Sequence, residues 1–253
     1  MIPLNIRGLK IGEGIPKICV PILGGTKESI LKQAKELDTD AADFVEWRVD
    51  WFEEAADLER VKEILSDLRG VLQDMPLLFT FRTAKEGGKR SIGILEYAAL
   101  NQTAAKTGDV DFIDVEAFLD GKEEVENIIK KAHEYGVKVI ASNHDFKHTP
   151  KKEEIIRRLC QMQELGADIV KIAVMPKEKT DVFTLLSATD EMYTKYADRP
   201  IITMSMSQLG VMSRLCGEQF GSAVTFGCAG QASAPGQLPA AKLKEILSVL
   251  HKM

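Results

Sequence analysis

Short apolar runs rich in β-branched residues recur along this chain, and each is followed by a longer segment of helical periodicity. Eight such runs centre on Ile18–Ile22, Phe44–Val49, Leu77–Arg82, Phe112–Glu116, Val137–Ser142, Ile169–Val174, Ile201–Met206 and Ala223–Phe226. This alternation is typical of repeated βα units that build a parallel sheet. Eight units in 253 residues match the usual size of a closed (β/α)8 barrel, the TIM barrel. We therefore expect residues 1–253 to form one α/β barrel domain.

The segments outside these runs agree with this prediction. Amphipathic stretches predict helices at Glu28–Leu37, Leu58–Leu72, Glu123–His133, Lys152–Leu165 and Lys242–Leu250. Near the start of the chain, Leu4–Ile11 alternates apolar and polar residues around Arg7 and Gly8, which predicts a small β-hairpin closing the bottom of the barrel. A doubly wound open sheet is the structural alternative, but no G-x-G-x-x-G motif follows any run, so the usual nucleotide site of that fold is missing.

Composition narrows the range of partners and compartments. The net charge of −5 argues against nucleic acid or an anionic membrane surface as the binding partner. The four cysteines are far apart, with no C-x-x-C pair, so neither a disulfide framework nor a zinc site is predicted. The chain begins without a charged-then-apolar leader, and no apolar run approaches the roughly 18 to 20 residues that cross a bilayer. We therefore expect a cytoplasmic protein.

Charged residues fall on the inward face of several predicted strands. Side chains alternate along a strand, and apolar residues of a barrel strand should face the surrounding helices. In the second run Val45, Trp47 and Val49 suit that outer layer, which leaves Glu46 and Arg48 pointing inward. The same rule places four more charged residues inside the barrel: Arg82, Asp114, Glu116 and Lys171. One such residue would be a solvated strand end or a structural ion pair, but six together indicate a functional site, because buried charges are costly.

Two of the candidate residues are suited to covalent and proton-transfer chemistry. Lys171 has apolar neighbours on both sides in its run, and a buried lysine amine can attack a carbonyl group. A core lysine that is salt-bridged to Asp114 or Glu116 is the alternative interpretation. His144 follows the fifth run at the predicted catalytic rim, whereas the other three histidines lie in polar segments. His144 is therefore the histidine placed for general acid–base catalysis.

Three further segments follow predicted strands and complete the candidate rim. Glu86 lies in the loop after the third run, where its carboxylate either orients His144 or is an ordinary exposed loop carboxylate. Arg214 and the turn Ser233–Gln237 follow the seventh and eighth runs, the region where barrels often bind anions.

These residues stand in short blocks whose order resembles a known family. The blocks are Glu46-Trp47-Arg48-Val49-Asp50, Phe79-Thr80-Phe81-Arg82, Ser142-Asn143-His144-Asp145-Phe146, Lys171-Ile172-Ala173, Met204-Ser205-Met206 with Ser213-Arg214, and Ser233-Ala234-Pro235-Gly236-Gln237. Together they resemble the signature of type I 3-dehydroquinate dehydratase and cover the chain from residue 46 to residue 237. One departure is Pro21, where many members carry a serine that contacts the ligand.

The resemblance implies a function and a role for each site residue. It implies a lyase of the shikimate pathway of aromatic amino-acid biosynthesis that converts 3-dehydroquinate to 3-dehydroshikimate. Lys171 would form a Schiff base, His144 would be the general acid and base, and Glu86 would hydrogen-bond His144. The substrate would be held by Glu46, Arg48, Arg82, Arg214, Ser233 and Gln237, with Arg214 on its carboxylate. The resemblance further implies a homodimer without a cofactor. We also expect no metal, because the sequence has no Cys/His cluster and an iminium would serve as the electron sink in place of a Lewis acid.

Three other functions remain as alternatives on the residues alone. A class I aldolase shares the barrel and the lysine but would cleave a carbon–carbon bond of a sugar phosphate. A metal-dependent lyase would use Asp114, Glu116 and Asp145 as oxygen ligands, although the adjacent cations disfavour such a cage. A non-enzymatic binding barrel would not need an inward lysine beside a rim histidine.

Overall fold

The computed structural model describes residues 2–252. An antiparallel hairpin comes first, formed by β1 (Leu4–Ile6) and β2 (Leu9–Ile11). Its turn consists of Arg7 and Gly8, whose φ angles of +47° and +83° suit a two-residue hairpin turn. The hairpin that was predicted at Leu4–Ile11 is therefore confirmed.

Parallel strands form the wall of the barrel. They are β3 (Lys17–Ile22), β4 (Phe44–Arg48), β5 (Leu77–Thr80), β6 (Phe112–Glu116), β7 (Lys138–Asp145), β8 (Ile169–Val174), β9 (Ile201–Ser205) and β10 (Val224–Cys228). Strands β3 to β9 are neighbours in chain order, and β10 pairs with β3. A bridge between Ile201 and Ser222 joins β9 to the start of β10. Each of the eight predicted runs coincides with one of these strands, and the TIM-barrel fold is confirmed. The third run was predicted to reach Arg82, but β5 ends at Thr80, so Arg82 lies just beyond the strand.

Helices follow the strands and cover the outside of the sheet. They are α1 (Lys27–Lys35), α2 (Leu58–Leu72), α3 (Ile94–Thr107), α4 (Lys122–Glu134), α5 (Lys152–Glu164), α6 (Lys179–Glu191), α7 (Val211–Leu215), α8 (Gly217–Phe220) and α9 (Ala240–His251); a two-residue strand, β11 (Leu238–Pro239), pairs with β10. All five predicted helices are present. Helix α2 has the predicted bounds, and it begins at Leu58 because the Asp57 carboxylate caps it by accepting from the N–H groups of Glu59 and Arg60.

The two faces of the strands differ as the alternation predicts. Val45, Trp47 and Val49 pack among apolar residues of the helices. On the inward face, one apolar side chain from each of several strands meets in a lower layer of the interior, formed by Cys19, Phe44, Leu78, Phe112, Ile140, Ile169 and Ile202. Ile11 of the hairpin is completely buried against this lower layer. The hairpin therefore closes the bottom of the barrel, as predicted.

The predicted end of the fifth run is wrong. Strand β7 continues to Asp145, so Asn143 and His144 belong to the strand rather than to a following loop. The reason is the neighbouring strand: β8 extends alongside and pairs His144 with Ala173 and Asp145 with Val174. Pairing with a neighbouring strand decides where a strand ends, and polar residues at the open end of the barrel form such backbone pairs as readily as apolar residues do.

Within residues 2–252, no helix has both the length and the apolar character to cross a bilayer.

Candidate active site

A single cleft at the carboxyl ends of the strands collects nearly all the predicted site residues. Eight of the nine line it: Glu46, Arg48, Arg82, Glu86, His144, Lys171, Ser233 and Gln237. The ninth, Arg214, is buried beside the cleft and is not among its lining residues. Residues of β4, β7 and β8 and of the loop after β5 thus converge with two residues of the loop after β10.

Lys171 points into this cleft from the middle of β8. Its side chain is buried, and its Nζ lies 3.6 Å from Oδ2 of Asp114 and 4.2 Å from the centre of the Phe226 ring. Oδ2 of Asp114 accepts no hydrogen bond from any residue between 2 and 252. Asp114 is therefore the carboxylate that faces the lysine, and Glu116 is not. The amine is held between a carboxylate and an aromatic face, and it still borders the cleft.

Arg82 ties the buried carboxylates together. Its guanidinium donates to Asp114 Oδ1 at 2.7 Å, to Glu116 Oε1 at 3.0 Å and to Ser142 Oγ at 2.9 Å, and it reaches Glu86 Oε2 at 3.4 Å. Burial by itself lowers the pKa of Arg82, but the carboxylates of Asp114 and Glu116 outweigh it and raise the pKa above its ordinary value. Conversely, burial raises the pKa of Asp114, and the cations of Arg82 and Lys171 overcome it and lower that pKa. Both groups therefore stay charged.

Glu86 holds His144 at the rim of the cleft. The Oε2 atom lies 2.8 Å from His144 Nδ1 and accepts from the backbone N–H of His144 at 2.9 Å. The other oxygen, Oε1, accepts from Nδ2 of Asn143 at 2.9 Å. Of the two interpretations of Glu86, the buried carboxylate that orients the imidazole is the one that this geometry supports. Because Nδ1 contacts Glu86, the other ring nitrogen, Nε2, is the one available to a molecule bound in the cleft.

The loop that carries Glu86 depends on glycine. A short 3-10 turn, Ala84–Glu86, ends at Gly87, whose φ angle is +86°. The Cα of Gly87 faces the ring of Phe146, so a side-chain carbon there would overlap the ring. Only glycine accepts both this backbone angle and this close contact. Gly87 therefore allows the loop to fold against Phe146, which holds Glu86 next to Asn143 and His144.

Burial and charge shift the pKa values of the Glu86–His144 pair. Burial, together with the cations of Arg82, Lys171 and Arg48, holds the pKa of His144 well below its ordinary value. Burial also raises the pKa of Glu86 to about 8, against the opposing effect of Arg82. The N–H donors of Asn143 and His144 favour the carboxylate form, since neither donor can accept a proton in return. Above the pKa of Glu86, where its carboxylate is ionised, Nδ1 of His144 carries the proton, and Nε2 is a free base.

Asp50 is a site residue that the alternation rule missed. It lies two residues beyond the end of β4, is fully buried, and accepts from Nε and Nη2 of Arg48 at 2.7 and 2.8 Å. Such a bidentate pair fixes the plane of the guanidinium. Glu46 is fixed as well, since its Oε1 accepts from the Thr80 hydroxyl at 2.9 Å. The Glu-x-Arg-x-Asp spacing, which begins in the buried strand and ends just after it, was the signal available for Asp50.

Arg214 stands apart from the other cations of the site because no carboxylate within residues 2–252 pairs with it. Its guanidinium contacts the Met204 sulfur at 3.5 Å and donates to the Pro235 carbonyl at 3.1 Å. The Nε atom has no partner in the described part of the chain, and burial lowers the pKa of Arg214 to about 10. In the loop next to it, Ser233 and Gln237 hydrogen-bond each other. A buried cation without a counter-ion is suited to an incoming anion.

The three carboxylates of the metal-dependent alternative are otherwise engaged. Asp114 and Glu116 both accept from Arg82, and Asp145 accepts from the N–H groups of Lys147 and His148. Across residues 2–252, no three His, Cys, Asp or Glu side chains come together as metal ligands would.

Comparison with known proteins identifies the family to which this geometry belongs. The family model described as type I 3-dehydroquinase matches residues 18–253. The chain belongs to this family. A curated relative from Clostridioides difficile, named 3-dehydroquinate dehydratase, is 56% identical over 249 residues, which cover 98% of this chain and 97% of the relative.

Solved structures of type I 3-dehydroquinases agree with this assignment. The enzyme from Clostridium difficile, crystallised with covalently modified comenic acid, superposes with a TM-score of 0.96 at 55% identity and covers 99% of this chain and 98% of its own. The 3-dehydroquinate dehydratase from Geobacillus kaustophilus gives 0.95 at 36% identity, with coverage of 99% and 97%. Where many family members carry a serine, Pro21 lies buried on β3 opposite Glu46 and offers no hydroxyl group.

Proposed function

We propose that this chain is a shikimate-pathway hydro-lyase that dehydrates 3-dehydroquinate to 3-dehydroshikimate through a Schiff base on Lys171. The observation that carries the proposal is the meeting of Lys171 and His144 in one cleft, with Glu86 holding the imidazole. Membership of the type I 3-dehydroquinase family supports the same reaction. Lys171, His144 and Glu86 are the proposed catalytic residues.

Lys171 begins the reaction by attacking the ketone of the substrate. The amine nitrogen bonds to the carbonyl carbon, and the carbonyl oxygen leaves as water when the iminium forms. The iminium nitrogen is positive, and Asp114 Oδ2 already lies 3.6 Å from Nζ while accepting no hydrogen bond from any residue that the structure describes. Since opposite charges attract strongly in a buried site, Asp114 stabilises the cation that this step creates.

His144 moves the proton in the elimination. The iminium draws electrons from the adjacent C–H bond, so Nε2 of His144 can remove that proton and leave an enamine. The enamine expels the β-hydroxyl, and His144 returns its proton to the departing oxygen. Water then hydrolyses the conjugated iminium, which releases 3-dehydroshikimate and restores the Lys171 amine. The net change is the loss of one water molecule from the substrate.

The remaining residues are proposed to hold the substrate. Arg214 would bind the carboxylate, because its buried guanidinium has no counter-ion in the described structure and its Nε has no partner. The other proposed substrate ligands line the same cleft: Glu46, Arg48, Arg82, Ser233 and Gln237. Arg48 and Arg82 are fixed by buried carboxylates, so their forks are preorganised for hydroxyl groups.

Turnover of 3-dehydroquinate tests the proposal. Purified protein should convert it to a product with the ultraviolet absorbance of a conjugated carbonyl, at a rate proportional to protein concentration. Borohydride added during turnover should reduce the iminium and fix the substrate skeleton to Lys171, which peptide mass mapping detects. No absorbing product, or a cleaved carbon skeleton instead, would reject dehydration in favour of another lyase reaction.

We also propose that the reaction needs no metal, because the iminium serves as the electron sink that a Lewis acid would otherwise provide. After prolonged treatment with a chelator, kcat and KM should equal those of the untreated protein within experimental error. A loss of activity that divalent ion restores would contradict this proposal.

The family resemblance further leads us to propose a cytoplasmic homodimer in which each chain contributes one barrel domain. Light scattering should then give twice the chain mass of 28.0 kDa. A monomer mass at micromolar concentration would contradict the dimer and leave the chemistry unaffected.

A further inference from the structure

A line of hydrogen bonds runs from an outer helix to the imidazole of His144. Nη1 of Arg158, on α5, donates to Oδ1 of Asn143 at 2.9 Å. Nδ2 of Asn143 donates to Oε1 of Glu86 at 2.9 Å, and Oε2 of Glu86 lies 2.8 Å from Nδ1 of His144. Arg158 does not line the cleft. It therefore reaches the proposed catalytic base only through two intermediate side chains.

The chemistry of the donors fixes the direction of each bond in this line. An arginine can only donate, so the oxygen of the Asn143 amide must face Arg158 and its NH2 group must face Glu86. Glu86 Oε1 is thereby required to accept. Its Oε2 accepts the backbone N–H of His144, which also can only donate. A carboxylate held in this way favours a proton on Nδ1 of His144, which leaves the lone pair of Nε2 directed to the cleft.

Arg158 is itself anchored on the outside of the barrel. Its Nε donates to Glu154 Oε1 at 2.7 Å, and Nη1 lies 3.9 Å from Asp145 Oδ2. Arg157 and Arg158 together lower the pKa of Glu154 to about 2, so this carboxylate is ionised under all working conditions. Asn143 is nine-tenths buried, so water does not readily replace the arginine as its donor.

We infer that Asn143 and Arg158 are positioning residues that hold Glu86 as a hydrogen-bond acceptor and thereby fix the basic tautomer of His144. This inference rests on the proposed function, because it assigns a task to the pair that is proposed to move the proton. It predicts that a change on the outer helix alters kcat while substrate binding and Schiff-base formation continue.

Arg158→Met is the first test, and Arg157→Met is its matched control. Both variants lose one positive charge from α5 and one partner of Glu154. Among the described residues Arg157 hydrogen-bonds Glu154 and Gln161, and not Asn143. A misplaced catalytic group costs up to about 100-fold, so Arg158→Met should lower kcat by about tenfold with KM nearly unchanged. Arg157→Met should match the wild type. Equal kcat values for the two folded variants would overturn the inference.

The pH dependence of kcat in the variant Asn143→Leu is a second test, since a merely structural role for Asn143 would not change it. The groups that face the Glu86–His144 pair are Arg48 from β4, Arg82 from the loop after β5, Asp114 and Glu116 from β6, Asn143 from β7 and Lys171 from β8. A hydrogen bond to a carboxylate lowers its pKa, so removing the Asn143 donor raises the pKa of Glu86. The acid limb of the kcat profile should move to higher pH. An acid limb at the wild-type pH in a folded variant would contradict the inference.

Two controls separate this inference from the proposed function. If the wild type does not dehydrate 3-dehydroquinate, the proposed function fails. If the wild type is active while Arg158→Met and Asn143→Leu keep both kcat and the acid limb, only the positioning role fails. Borohydride should still trap substrate on Lys171 in both variants, since neither residue touches that amine, and loss of trapping in folded protein would contradict the assigned role.

Discussion

The barrel interior has two layers of equal burial and opposite chemistry. The lower layer is apolar and includes Phe44, Phe112 and Ile169. Two residues further along the same strands, on the same face, stand Glu46, Asp114 and Lys171, which are at most 4% exposed. Within two positions along the same face of a strand, the interior of the barrel therefore changes from apolar to charged side chains.

The difference shows what each layer contributes. The lower layer is stable because apolar area is removed from water. The upper layer is tolerated because its charges compensate one another, with Arg82 bridging Asp114 and Glu116. The lower layer should therefore determine stability, whereas the upper layer should determine turnover.

The largest effect on turnover is expected for Lys171→Ala in the upper layer. No amine then remains to attack the ketone, so dehydration should fall to the uncatalysed background. Borohydride should fix no substrate to the protein, as intact-mass measurement would show. Adduct on a different lysine, with activity retained, would move the nucleophile elsewhere.

His144→Ala should lower kcat on the order of 10²-fold or more, the usual effect of removing a positioned acid–base group. Unlike Lys171→Ala, it should still accumulate an adduct that borohydride traps, because the amine is present. The two variants thus separate covalent attachment from proton transfer within one layer. A folded His144→Ala protein that binds substrate but yields no adduct would show that the imidazole is needed for attachment too.

Arg214→Lys should have a smaller effect that appears mainly in binding. The charge stays, but the bidentate fork that fits a carboxylate is lost, so KM should rise by about tenfold and more than kcat falls. Steady-state kinetics on 3-dehydroquinate measure both. An unchanged KM would remove Arg214 from the substrate site.

Ile11→Ala at the base of the lower layer should leave kcat and KM almost unchanged. Its side chain is completely buried between the hairpin and the barrel bottom, and truncating such a side chain costs about 2–5 kcal/mol of unfolding free energy. Denaturant unfolding measures that loss. If Ile11→Ala were as stable as the wild type but impaired in turnover, the division between the two layers would be wrong.

The repeat of βα units made the fold predictable from the sequence, and alternation within the strands placed four of the nine site residues inside the barrel: Glu46, Arg48, Arg82 and Lys171. Which side of a strand a residue occupies follows from its neighbours in the chain, so Glu46, Asp114 and Lys171 could be placed inside before any contact was known. Lys171 and His144 were candidates for covalent and proton-transfer chemistry on the residues alone, and the family resemblance supplied the full set of nine roles. Eight of the nine line one cleft.

Only the tertiary structure decided which groups pair with which. Alternation did not reveal that Asp114 rather than Glu116 faces Lys171, or that Arg158 reaches Asn143 across the barrel wall. The end of β7 was missed because it depends on pairing with β8. Side-chain direction is set within two or three residues of the chain, whereas partner choice depends on the stagger of neighbouring strands and on close contacts such as Gly87 against Phe146. Those distances exist only once the barrel has closed.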